Sequence, residues 1–67
     1  MSDTLEFRVR EDIRCHKENG VDLNPFSTPG MRWSWQKGFC SLAVAPFSDA
    51  AYDRGRLAAK LIKEESE

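Results

Sequence analysis

The chain has 67 residues, of which 40% are hydrophobic, 31% charged and 10% aromatic, and its formal net charge is −1. That length permits one domain with a core near the lower limit of self-sufficiency, and it argues against an enzyme that must build a pocket as well as a core. Its Phe, Trp and Tyr content excludes a disordered chain, and no apolar run approaches the ~18 residues of a membrane span.

The first segment carries two patterns. Leu5, Phe7 and Val9 alternate with Glu6, Arg8 and Arg10, as in a strand, while Leu5, Val9 and Ile13 recur at helical spacing. Glu11 to Glu18 holds no Gly or Pro, and Asn19-Gly20 is a helix-stop pair, so one helix over residues 4–19 is the preferred reading. The loop GVDLNPFST follows. Asn24-Pro25 forces an extended or turn geometry there, and Phe26 is expected to turn inward as its anchor.

Thr28-Pro29 opens a second helix over residues 29–40, with the Thr hydroxyl as cap and Pro at the first helical position. Met31, Trp35, Gly38, Phe39 and Leu42 share one face, which is expected to pack on the first helix, with Gly38 allowing close backbone approach. Trp33 falls on the other side, one turn before Lys37. The apolar connector SLAVAPF, residues 41–47, reads as a short extended piece. Ser48 then caps a third helix over residues 48–64, with Phe47 and Tyr52 placed as a hydrophobic staple. Ala51, Gly55, Ala58, Leu61 and Ile62 form its apolar stripe, and Arg56, Lys60 and Lys63 its opposite side. Acids in the first turns and bases near the end suit the helix dipole. The expected fold is therefore mostly α: a single small three-helix domain with a Pro-aromatic loop.

Little in this chain supports catalysis or a cofactor. The lone histidine, His16, lies in a charged helix with no nearby nucleophile, and no phosphate-cradling glycine loop is present. Cys15 and Cys40 lack any zinc-type spacing and are expected to be reduced, buried apolar residues, with no metal site. The opening MSDTLEFRVRED does not read as a secretory signal, so a cytoplasmic, membrane-free location is expected. Binding surface is better supported. Trp33 with Arg32 and Lys37 makes an aromatic-plus-cation patch of the kind found in protein hot spots and on single-stranded RNA binders. Arg54, Arg56, Lys60 and Lys63 form an all-basic stretch, followed by the acidic tail Glu64, Glu65 and Glu67.

The run Asn24-Pro25-Phe26, Arg32, Trp35, Gly38-Phe39 reads N-P-F-x5-R-x2-W-x2-G-F. It resembles the signature of the ribosome modulation factor family and of the related small proteins named for ciprofloxacin resistance. The resemblance implies a helix, a Pro-aromatic loop and a second helix ending at the glycine-aromatic pair. It further implies contacts to ribosomal RNA and proteins, with Asn24, Pro25, Phe26, Trp35, Gly38 and Phe39 mainly structural and Arg32 nearest to RNA. The family is strongly basic whereas this chain is slightly acidic, and the third helix looks like an addition.

Two functions follow as expectations. The preferred one is a ribosome- or RNA-associated regulator using Arg32, Arg54, Arg56, Lys60 and Lys63. The alternative is an effector or inhibitor, of the kind a phage or other mobile element encodes, which grips a host protein through a Trp33-centred patch. A chain this small can also pair with itself, burying the connector and part of the third helix.

Overall fold

The computed structural model describes residues 3–66, so Glu67 of the acidic tail lies outside the described residues. Three helices follow one another: α1 (Asp3–Asn19), α2 (Pro29–Phe39) and α3 (Asp49–Ser66). In α1 the helical spacing prevails over the alternating one. Val9 and Ile13 are buried and Leu5 packs against them, whereas Phe7 stays 66% exposed on the outer side. Gly20, with φ +69°, ends the helix, and its N–H donates to the His16 carbonyl.

The second helix does not pack on α1 as expected. Its backbone lies against α3, which also carries α1, while α1 and α2 meet through side chains around Trp35. The reason is steric. A Cβ added at Gly38 would collide with the Tyr52 carbonyl, standing 2.8 Å from its carbon, and one at Gly55 would collide with the Trp35 carbonyl and lie 3.1 Å from the Phe39 nitrogen. Two glycines thus face each other's helices where any side chain would hold the backbones apart. Ala51 and Ala58 flank Gly55 on the same stripe and are fully buried, so α3 presents a small-residue groove that α1, lacking glycine, cannot mirror. The third helix is therefore the centre of the domain and not an appendage.

The core gathers Val9 and Ile13 of α1, Trp35 of α2, and Ala58 and Leu61 of α3. Phe26 from the loop and Phe39 pack on its edge, the latter stacked on Trp35 at 5.0 Å between ring centroids. Trp35 is 3% exposed and its indole Nε1 finds no hydrogen-bond acceptor, so the ring serves as bulk and not as a polar handle. The radius of gyration, 11.3 Å, matches the ~11 Å of a closely packed chain this long.

Several local expectations change. Thr28 occupies the N-cap of α2, but its hydroxyl makes no cap bond; only its carbonyl receives the Arg32 N–H, leaving Pro29 to start the helix. At the other end, Ser41 takes a left-handed conformation with φ +57°. Its N–H reaches the Gly38 carbonyl and that of Leu42 the Lys37 carbonyl, a Schellman closure without glycine. Leu42 is thereby carried off the helix and stands 43% exposed, not on the inner face of α2. The connector forms no strand, and Cys40 is exposed while Cys15 is half-buried, so neither thiol is a core residue. Ser48 does cap α3, its Oγ accepting the Ala51 N–H at 3.3 Å.

Gly38→Ala and Gly55→Ala are each predicted to destabilise the domain by more than ~2 kcal/mol, because backbone cannot yield as a side chain can. Chemical denaturation monitored by circular dichroism measures this; a loss under ~1 kcal/mol at both positions would mean the helices do not cross in contact.

Candidate functional site

Charged groups expected to face a partner turn out to divide into internal latches and free surface. Arg32 belongs to the first group. Its guanidinium donates to the Phe26 carbonyl at 2.7 Å and to the Asp22 carboxylate at 2.7 Å, clamping the loop onto α2. Asn24, 6% exposed, completes this clamp: its Nδ2 donates to the Arg32 carbonyl, and its Oδ1 accepts the Phe26 N–H. Asn24, Pro25 and Phe26 are thus a structural turn, with the Phe26 ring held against the core. Hydrogen bonding from Arg32, and secondarily from the Asn24 backbone N–H, holds the Asp22 carboxyl below the usual carboxylate range.

Arg54 is also internal. It meets Asp12 of α1 through two hydrogen bonds of 2.8 Å each, and its guanidinium lies 5.3 Å from the centroid of Phe26. One side chain therefore ties α3, α1 and the loop together, with only 20% of it exposed. Sequence reading missed both carboxylate partners, since Asp12 and Asp22 lie 42 and 10 positions from the arginines they hold.

Trp33 and Lys37 remain on the surface. Trp33 is 37% exposed, and Lys37 Nζ sits 5.3 Å from its ring centroid, a cation–π contact one turn along the helix. The third member is Phe47, which the hydrophobic-staple expectation assigned to Tyr52. Its ring instead meets Trp33 edge-on at 5.2 Å with an interplanar angle of 64°, lies over Gly30, and is 78% exposed. Tyr52 points elsewhere, its hydroxyl donating to the Leu42 carbonyl at 2.6 Å.

What seats Phe47 is Ser34, a fully buried residue on α2. The Ser34 Oγ donates to the Gly30 carbonyl at 2.9 Å and accepts the N–H groups of Phe47 and Ser48, at 2.9 and 3.1 Å. The hydroxyl is fully used, and the backbone entering α3 is nailed to α2 beside Trp33. The signal for it was present in the spacing Gly30, Ser34, Gly38, a stripe of small residues at every fourth position.

Arg56, Lys60 and Lys63 project from α3 into solvent and line an open groove of about 570 Å³. His16 is exposed, and its Nδ1 donates to the Val21 carbonyl at 2.7 Å, closing the end of α1. Among the described residues, no three His, Cys, Asp or Glu side chains come together as a metal site would require. No helix of the structure is long and apolar enough to cross a membrane. Compared with family models, curated proteins and solved structures, the chain matches none. The run over residues 24–39 therefore remains a resemblance, and a family is not assigned.

Ser34→Ala is predicted to cost ~1–3 kcal/mol, since it strands two part-buried backbone donors; thermal melting checks this, and a change under ~0.5 kcal/mol would mean that water replaces the hydroxyl. Asp22, with its lowered pKa, contributes stability that is fully present above about pH 4 and lost as pH falls through its folded-state value. Asp22→Asn is predicted to flatten this acid limb when melting is followed from about pH 5 to about pH 2; an unchanged acid profile would contradict the clamp.

Proposed function

We propose that this chain is a non-catalytic binding protein that grips a protein partner through the patch of Trp33, Phe47 and Lys37. The observation that carries the reading is the exposure of Phe47, 78%, on a backbone fixed by the buried Ser34 hydroxyl. A large ring left in water costs hydrophobic free energy, and a rigid seat keeps it there when a flexible connector would let it fold back. Trp33 beside it supplies the residue type that most often dominates protein interfaces, already oriented and with little side-chain entropy left to lose. Lys37 adds a cation over the indole, which favours a carboxylate at the edge of the partner's contact.

A ribosome- or RNA-associated role draws its support from the N-P-F-x5-R-x2-W-x2-G-F resemblance and from the exposed Arg56, Lys60 and Lys63. Arg32 and Arg54, its other cations, are occupied by Asp22 and Asp12. A net charge of −1 also leaves little of the basic excess on which phosphate binding depends. The protein-directed reading is therefore preferred here.

Capture from bacterial lysate with and without nuclease, followed by affinity measurement on the purified partner, tests it. One protein that persists after nuclease is expected, and Trp33→Ala and Phe47→Ala should each weaken it by about 30-fold, ~2 kcal/mol, with the helical circular dichroism retained and, for the more exposed Phe47, thermal melting nearly unchanged. Recovery of ribosomal proteins that vanish with nuclease, insensitive to Trp33→Ala, would overturn the reading in favour of RNA.

A further inference from the structure

The groove on α3 has a chemistry of its own and shares no residue with the aromatic patch. Its floor is apolar, made by Leu5 of α1 with Leu57 and Ala59 of α3. Its rim carries Arg56, Lys60 and Lys63, opposed by the single carboxylate of Asp53. None of the three cations is engaged in an ion pair among the described residues. A second depression on the molecule contrasts with it. There Arg10, Arg14 and Lys17 each hold a carboxylate, from Glu6, from Glu11 and Glu18, and from Glu65 respectively. On the outer face of α3, by contrast, three neighbouring cations stand without a carboxylate partner among the described residues.

We infer that this groove docks an acidic amphipathic helix of a partner protein, with its apolar stripe on Leu5, Leu57 and Ala59 and its carboxylates on Arg56, Lys60 and Lys63. Three exposed cations around leucine and alanine complement an apolar stripe flanked by acids, the helix-in-groove mode of peptide recognition. A nucleic-acid backbone would satisfy the rim but gain nothing from the floor, because phosphate and ribose do not bury aliphatic surface. Asp53 gives the groove polarity: it favours a basic residue at one end of an otherwise acidic helix.

The test uses the full chain, isotopically labelled, and three probes. One is an acidic peptide with leucines at i, i+3, i+4 and i+7 and glutamates between them. The second is the same composition permuted so that no apolar face forms, and the third is single-stranded oligo(U) RNA. The first peptide is expected to shift the amide resonances of Leu57, Lys60 and Lys63, with an affinity that falls as salt is raised. Lys60→Glu with Lys63→Glu should reduce that affinity at least tenfold, and the milder Lys60→Gln with Lys63→Gln severalfold, with circular dichroism unchanged. Trp33→Ala should leave it untouched, which separates this groove from the patch of the proposed function. Equal binding of both peptides, binding of the RNA alone, shifts centred on Trp33, or no shift at millimolar peptide would each overturn the inference.

Discussion

The closeness of α2 to α3 at Gly38 and Gly55 is the constraint from which most of this structure follows. With no Cβ on either side, the Tyr52 and Trp35 carbonyls occupy space a side chain would otherwise fill. Backbone-to-backbone contact of this kind gains dispersion energy along a whole helical turn and loses almost no side-chain entropy. It also sets the rotation of α2 about its own axis. Trp35 is turned into the core, Ser34 toward the connector, and Trp33 outward. The surface chemistry of the domain is thus a consequence of how closely two glycines let α2 and α3 approach.

Around that crossing, polar side chains do work that hydrophobic area alone cannot do in so short a chain. Asn24, Arg32 and Asp22 hold the loop to α2, and Asp12 with Arg54 joins α1 to α3 across the Phe26 ring. Two arginines that look, in sequence, like outward cations are in this way architectural. A guanidinium has enough donors to bind carboxylate and carbonyl together, and a residue so occupied has little left for phosphate. Arg56, Lys60 and Lys63, without an ion pair among the described residues, lie together on α3 and away from the aromatic patch.

Much of the helical layout was legible. The Asn19-Gly20 stop, Pro29 after Thr28, and Ser48 before an apolar stripe each act through local backbone chemistry, so residues near one another in sequence suffice to read them. What escaped depended on distance or on an atypical residue. The partner of α2 was misjudged because Gly38 announces a close approach without saying to what, and only Gly55 on α3 answers it. Ser41 hid the Schellman closure, since glycine is the expected occupant of a left-handed position. Phe47 looked like a staple to Tyr52 because spacing cannot reveal that Ser34 captures the connector backbone first and turns the ring toward Trp33. Of the site, Trp33 and Lys37 were readable as a patch; Phe47 as its most exposed member was not.

Trp33 and Lys37 are presented by α2, Phe47 by a connector pinned to α2 through Ser34, and the basic groove by α1 and α3, so binding at either would need little rearrangement of this chain. That rigidity rests on the glycine crossing, and the crossing can be observed without any partner. Carbon-edited nuclear Overhauser spectra of the labelled chain measure it directly. Cross-peaks from the Gly38 α-protons to the Tyr52 α-proton, and from the Gly55 α-protons to the Phe39 amide, are the predicted result. Their absence, with the helices otherwise formed, would mean that α2 and α3 are held apart and that the aromatic patch has no fixed seat.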